Sequence, residues 1–310
     1  MRVVFLGSPP FATPILDRLL KKTPQHEVVG LVTPPDRPRG RGRAVVRSEL
    51  AAAADEAGIP VIQPASTKSD EFTAALRALQ ADVLVVASYG EILRTPVLEM
   101  CEHGALNVHG SLLPRWRGAS PIQRAIAAGD ETTGVSIQRM VLALDAGDVI
   151  LSKTLPIGPD DTAADLFDRL ADLGADAIVE ALDAITTGTA TFTPQDPELV
   201  TLAPKLSKDD GEIDFTRPAE EIARHVRAMT TWPGARCTLE DGRDLVVLAA
   251  RATNDAHEGQ SHEEPPGTRL ERGSALVFAA GKGTAIEFTL VKPAGKGAME
   301  GAAFLRGLRS

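Results

Sequence analysis

The chain is expected to be an α/β protein, an open and largely parallel sheet in its first part followed by a small β-barrel in its last third. Two observations predict this. Short apolar segments alternate with amphipathic helical stretches through the first half. Beyond Lys205 that alternation gives way to short strands separated by Gly, Pro and charged turns. With 310 residues, 43% of them hydrophobic, the chain can bury substantial cores and is long enough for two domains.

Strands are expected over residues 2–6, 28–33, 61–63, 83–87, 105–109 and 134–138, with helices over 11–22, 49–57 and 71–79 between them. After the first strand comes Gly7-Ser8-Pro9-Pro10, where a dinucleotide fold would carry Gly-x-Gly-x-x-Gly; the second and third glycines are missing and prolines intrude, which argues against a nicotinamide enzyme. Over residues 162–185, Leu166, Leu170, Leu173, Ala177, Leu182 and Ile185 recur near helical spacing and predict a helix over the core. Residues 191–202, with Pro194 and Pro197, read as a linker, which divides the chain into domains 1–204 and 205–310. The second domain carries strands over 244–249, 275–279 and 284–290.

Asn107-Val108-His109-Gly110-Ser111-Leu112-Leu113-Pro114 and the later Leu144-Asp145-Ala146-Gly147-Asp148 carry the chemistry. Asn107 and His109 lie two apart on one strand and so project from the same face. An amide, an imidazole and a carboxylate suit acyl transfer without a covalent intermediate. Asn107 supplies a hydrogen-bond donor for an oxyanion, His109 can donate to the same oxygen, and Asp145 favours the imidazolium and can relay protons. Ser111 lacks a Gly-x-Ser-x-Gly elbow, so a serine acyl-enzyme is the weaker reading. Taken singly, Asn107, His109 and Asp145 each fit a turn; it is their combination with the following Pro114 loop that points to a site.

The match runs almost end to end with one family. Phe5-Leu6-Gly7-Ser8-Pro9-Pro10-Phe11-Ala12, Thr33-Pro34-Pro35-Asp36-Arg37-Pro38-Arg39-Gly40-Arg41-Gly42 and Arg115-Trp116-Arg117-Gly118-Ala119 carry it, with Leu144 to Asp148, Lys205-Leu206-Ser207-Lys208 and Lys292-Pro293-Ala294-Gly295-Lys296. On these segments the chain resembles the methionyl-tRNA formyltransferase family. The resemblance implies a Rossmann-like formyltransferase domain followed by an OB-like β-barrel, with 10-formyltetrahydrofolate as formyl donor and the α-amine of methionyl initiator tRNA as acceptor. Asn107, His109 and Asp145 then occupy the catalytic positions. Tyr89, Gly90, Ile92 and Leu93, with Ser111, Leu112, Leu113 and Pro114, match segments that line the folate site. Arg37, Arg39, Gly40, Arg41 and Arg43 match a loop that grips tRNA, with Arg41 at the acceptor end, and Lys205, Lys208, Lys292 and Lys296 extend the basic track. The family usually carries Asp and Gly where Val141 and Ala143 stand, a departure beside the catalytic carboxylate.

The net charge of −9 argues against indiscriminate nucleic-acid binding, but its distribution matters more. Residues 1–204 hold 18 basic against 26 acidic side chains, a net of −8, and residues 205–310 hold 15 against 16, a net of −1. Within the acidic first domain Arg37, Arg39, Arg41, Arg43 and Arg47 follow one another with no acid among them, and Gly40 and Gly42 leave the stretch flexible. On charge alone this fits a phosphate grip and a solvated basic loop equally well. Cys101 and Cys237 give no disulfide framework, and Cys101, His103 and His109 lack zinc-finger spacing, so no metal is expected. The apolar run of residues 3–6 is too short for a signal peptide or a membrane span. The expectation is a monomeric, cytoplasmic enzyme without a membrane partner. Two rival classes remain: another formyl-folate enzyme, acting on glycinamide ribonucleotide, a sugar or water, which would need neither the arginine loop nor the barrel, and a non-catalytic RNA-binding module.

Overall fold

The computed structural model describes residues 1–22, 25–39, 44–253 and 264–309. They form two compact units: Met1–Pro121, Thr132–Pro156 and Phe167–Pro204 make the first, and Ile122–Glu131, Ile157–Leu166 and Lys205–Ser310 the second. The elements run β1 (Arg2–Gly7), α1 (Ala12–Lys22), β2 (Glu27–Val32), β3 (Arg37–Arg39), β4 (Ala44–Val46), α2 (Glu49–Glu56), β5 (Val61–Ile62) and α3 (Asp70–Ala78). Then follow β6 (Val83–Ala87), α4 (Thr95–Leu98), β7 (Ala105–His109), α5 (Pro121–Ala128), β8 (Thr132–Arg139), β9 (Val149–Pro156) and α6 (Ala163–Thr186).

The strand order of the first unit is β5-β2-β1-β6-β7-β8-β9, parallel through β7 and antiparallel from β7 to β8 and from β8 to β9. Central strands of such a sheet are covered on both faces, so they read as continuous apolar runs rather than alternating ones. Val3 to Leu6 and Val83 to Val85 are accordingly all fully buried. The connecting helices start where serine caps them: Ser48 accepts from Ala51 N at 3.2 Å and Ser69 from Phe72 N at 3.1 Å. On α6, Phe167 meets Phe11 edge to face at 5.3 Å.

Strand succession moves from β1 outward to β2 and β5, then jumps back to β6 on the other side of β1. Ligands of open α/β sheets bind beyond the strand ends at such a reversal. Both segments leaving it, Gly7 to Pro10 and Ser88 to Leu93, are tied together where Ser8 Oγ donates to Tyr89 O at 3.3 Å.

The arginine stretch departs from the expected flexible loop. Its flanks pair as an antiparallel ribbon, Arg37 opposite Val46 and Arg39 opposite Ala44, because Val45 and Val46 supply strand-forming residues to a segment the charges had marked as loop. Gly40, Arg41 and Arg43 lie outside the described residues. Arg47 is not a free cation: it meets Asp55 at 2.8 Å, Asp36 at 3.3 Å and Gln63 at 2.9 Å. Desolvation pushes the Asp36 carboxyl up, but the Ser48 N–H, Gln63 and Arg47 outweigh it and hold it below the usual carboxylate range.

The second unit continues with α7 (Ala219–Ala228), β10 (Ala235–Thr238), β11 (Asp244–Ala252), β12 (Arg269–Arg272), β13 (Ala275–Ala280), β14 (Thr284–Pro293), β15 (Met299–Glu300) and α8 (Gly301–Arg309). Its sheet is antiparallel, in the order β10-β11-β14-β13-β12 with β15 beside β14. Register shifts between Val247 and Ala250 bend the long β11 against β14. Phe215, Phe278 and Phe288 stack at 4.9–6.0 Å in its interior. Two helices that the strand pattern had not suggested, α7 and α8, pack on this sheet and bury Ile222, Val226, Phe304 and Leu305.

Candidate active site

β7 carries Asn107 and His109 on one face, and β8 runs beside it with Gln138 opposite Asn107 and Ser136 opposite His109. A polar pair on one strand thus meets a polar pair on its neighbour, in a region where Val108, Val135 and Ile137 are buried. The loop between β8 and β9 brings in Asp145, which is held in the left-handed region at φ 46°.

Asp145 is the centre of the cluster. Its Oδ1 accepts from Gln138 Nε2 at 2.9 Å and faces Asn107 Nδ2 at 3.5 Å. Its Oδ2 accepts from the backbone of Gly118 at 2.9 Å and stands 3.7 Å from His109 Nδ1. The two short bonds fix the carboxylate, while the longer approaches of Asn107 and His109 are at the limit of direct bonding. The other imidazole nitrogen, Nε2, lies 2.9 Å from Trp116 O. A carbonyl only accepts, so Nε2 carries the hydrogen and Nδ1 is the nitrogen free to take or give a proton.

The clamp around Asp145 is built from segments far apart in sequence. Gln195 Nε2 donates to Asp145 O at 2.8 Å and Gly147 O at 2.7 Å, and its Oε1 accepts from Arg117 Nε at 3.0 Å. Thr201 accepts from Trp116 N at 2.9 Å and from Arg117 N at 2.9 Å. Two glycines permit these approaches. A Cβ on Gly147 would stand 1.7 Å from Arg139 O, and one on Gly118, at φ +123°, would stand 2.4 Å from Ala203 O. Val141 and Ala143 are not among the described residues with positive φ, so nothing in the backbone demands glycine at Ala143.

The expected donor-lining residues divide by burial. Tyr89 and Leu93 belong to the core cluster with Leu6, Leu84 and Val86, and burial, with Glu91 nearby, pushes the Tyr89 hydroxyl up to about 12. Gly90 and Ile92 are exposed at the strand reversal, and Leu112, Leu113 and Pro114 are half-buried. Ser111 is fully buried and donates to Arg115 O at 2.7 Å, so it shapes its loop rather than presenting a hydroxyl. Ser136 ties that loop down, donating to Ser111 O at 2.8 Å and accepting from Leu113 N at 3.0 Å. Among the expected basic residues, Lys205, Lys208, Lys292 and Lys296 are all exposed. Arg37 and Arg39 lie on β3. Cys101, His103 and His109 do not come together as a metal-holding group among the described residues.

Sequence reasoning missed Gln138, Gln195, Gly118 and the Trp116 carbonyl. Ser136 and Gln138 alternate with Val135 and Ile137, a signal of two polar residues on one strand face. Gln195 lay in a segment read as linker and carried no local signal.

Residues 1–182 match the formyl transferase family, and residues 205–309 match the formyl transferase C-terminal domain. A methionyl-tRNA formyltransferase of Anaeromyxobacter dehalogenans strain 2CP-1 is 47% identical over 309 residues, covering 100% of this chain and 97% of that protein. One of Chromohalobacter salexigens is 50% identical over 285 residues, covering 91% of this chain and 85% of that protein. Among solved structures, HypX of Aquifex aeolicus in complex with tetrahydrofolic acid shares the fold with a TM-score of 0.63 at 19% identity, over 98% of this chain and 47% of the longer HypX. Matched along its whole length by relatives of this identity, the chain belongs to the methionyl-tRNA formyltransferase family.

Proposed function

We propose that the chain transfers the formyl group of 10-formyltetrahydrofolate to the α-amino group of methionyl initiator tRNA by direct attack, without a formyl-enzyme. The observation that carries this reading is the carboxylate of Asp145, fixed by Gln138 and Gly118 and facing both Asn107 and His109.

In the reaction a C–N bond forms between the amine and the formyl carbon, the bond from that carbon to the folate nitrogen breaks, and one proton passes from the first nitrogen to the second. Asn107 Nδ2 donates to the oxygen that becomes negative, and an uncharged amide keeps this donor at every working pH. His109 Nδ1 is the second donor and the proton carrier, steadied by Asp145. Ser111, buried and hydrogen-bonded, is not a nucleophile in this scheme. The donor is taken up at the strand reversal, by Gly90, Ile92 and the loop of Leu112 to Pro114, with Tyr89, Leu93 and Ser111 holding those segments from within. HypX, which shares the fold, was solved with tetrahydrofolic acid, which supports a folate as the class of donor.

Acceptor binding is assigned to Arg37, Arg39, Gly40, Arg41 and Arg43 in residues 1–204 and to Lys205, Lys208, Lys292 and Lys296 in residues 205–310. The four lysines are exposed and without an ion-pair partner among the described residues, as phosphate contacts require. The activity is tested with 10-formyltetrahydrofolate and methionine-charged initiator and elongator tRNAs. Formyl-methionyl initiator tRNA is the expected product. Hydrolysis of the folate alone would overturn the reading, and equal transfer to both tRNAs would overturn initiator specificity.

The clamp yields a separate prediction. Gly147→Ala forces a Cβ onto the Arg139 carbonyl and displaces Asp145, so the single-turnover rate should fall on the order of 100-fold, the usual cost of misplacing a reacting group by about an ångström. Binding of a folate analogue, measured by titration, should survive. An unchanged rate would show that Asp145 needs no such clamp.

A further inference from the structure

The antiparallel sheet of the second unit ends in two edges, β10 and β12, which stand at opposite ends of the order β10-β11-β14-β13-β12 and do not pair with each other among the described residues. A cavity of about 390 Å³ lies where both edges reach it, with Cys237 and Thr238 of β10 and Arg269 of β12 in its lining. A curled sheet that does not close on itself leaves such a mouth, and the mouths of small barrels are places where one small molecule is held.

The lining says what kind of molecule fits. Phe215, Phe278 and Leu308 make its apolar part, and the rings of Phe215 and Phe278 lie 5.6 Å apart at 45°, so a planar ring finds aromatic partners there. Burial, with Glu212 and Asp244 nearby, pushes the Cys237 thiol up to about 12, so it stays a neutral thiol that neither charges the cavity nor attacks a ligand. The two cations of the lining differ in freedom. Arg243 is held by Asp241, whose Oδ2 accepts from Arg243 Nε at 2.9 Å. Arg269 is half-buried, and its Nη1 is buried with no hydrogen-bond partner among the described residues. A guanidinium is always charged and an unmet buried donor is costly, a cost that a bound anion on Arg269 would offset. With Arg243 and Arg269 set against Glu240 and Asp241, the lining carries no net charge. One unpaired cation therefore calls for one negative charge, and a polyanion would meet both carboxylates at the same place.

We propose that this cavity binds a small aromatic monocarboxylate, with its ring against Phe215 and Phe278 and its carboxylate on Arg269. The volume suits a molecule of one or two rings, near the lower end of the usual range for small-molecule sites. All the lining residues belong to the second unit, whereas Asn107, His109 and Asp145 belong to the first. The site is thus additional to the one assigned to formyl transfer, and its occupancy does not depend on what the chain formylates.

The test titrates the full chain by calorimetry with cinnamate, with cinnamyl alcohol as its uncharged counterpart and inorganic phosphate as an anion without a ring. Cinnamate should bind saturably and on the order of 10-fold more tightly than the alcohol, the scale of a hydrogen bond to a charged group. Phosphate at the same concentrations should not saturate. Arg269→Gln should weaken cinnamate on the order of 10-fold and leave the alcohol unchanged. Leu308→Trp places a bulky ring in the cavity from α8 and should abolish binding of both, which locates the site and serves alone if Arg269→Gln does not fold. No saturable binding of cinnamate, equal affinity for cinnamate and the alcohol, or cinnamate affinity unchanged in either folded variant overturns the proposal. Phosphate that binds as tightly as cinnamate and is lost in Arg269→Gln would make this a bare anion site and overturn it as well.

Discussion

Asn107→Ala, His109→Ala and Asp145→Ala each slow single-turnover formyl transfer by roughly 100-fold or more, since oxyanion donors and general acid–base groups each carry at least that much. The three losses differ in kind. Asn107→Ala removes one oxyanion donor and leaves the Asp145 clamp intact, because Gln138 and Gly118 still bind the carboxylate. His109→Ala removes the proton carrier and also the hydrogen bond to the Trp116 carbonyl, so part of its cost falls on the loop of residues 111–118. Asp145→Ala leaves Gln138 Nε2 and Gly118 N without their acceptor, and because an unmet buried donor is itself costly, this variant should lose stability as well as rate. Rapid-quench kinetics with saturating folate and charged tRNA, alongside titration of a folate analogue, separate the effects. A rate within a few-fold of wild type for any variant removes that residue from the chemistry.

Removing the arginines of the loop together, Arg37, Arg39, Arg41 and Arg43 to alanine, should weaken charged tRNA binding on the order of 100-fold near physiological salt, if each neutralises one phosphate. Every phosphate neutralised releases counterions and adds roughly 0.7–0.9 to the slope of log affinity against log salt, so the fourfold variant should lose roughly 3 from that slope. Arg47 is left out because Asp36 and Asp55 already hold it. Folate affinity should be unchanged at every salt concentration. Affinity and slope equal to wild type would make this a solvated surface ribbon. A turnover loss deeper than the binding loss in Arg41→Ala alone would instead assign that residue to placing the methionyl end.

Most of the sheet was legible because parallel strands buried on both faces leave apolar runs that need no partner to be seen. The strands at residues 83–87 and 105–109 stand where expected, and others shift by a residue or two. β9 was not legible: it lies at the sheet edge, with Leu151, Lys153 and Leu155 only partly covered, and its Ser-Lys-Thr centre mimics a loop. The helix α7 was legible in principle, with Ile222, Ala223 and Val226 at helical spacing, but it stands among short strands that drew the reading toward an all-β unit. In the site, Asn107 and His109 could be placed on one face from strand period alone. That Asp145 joins them depends on a loop that folds back over β7 and β8, and on Gln195, some fifty residues beyond, which no local pattern foretells.

Direct transfer, the core of the account, is tested most squarely by a rapid-quench experiment with formyl-labelled 10-formyltetrahydrofolate. Mixed with the enzyme alone, the label should stay on the folate and none should appear on protein. Addition of methionyl initiator tRNA should then move it to the tRNA in a single phase matching the loss of donor, and Asp145→Ala should slow that phase without creating another. Label on the protein at a rate fast enough to precede its appearance on tRNA would contradict the account, because it would make a side chain, and not the incoming amine, the first acceptor of the formyl group.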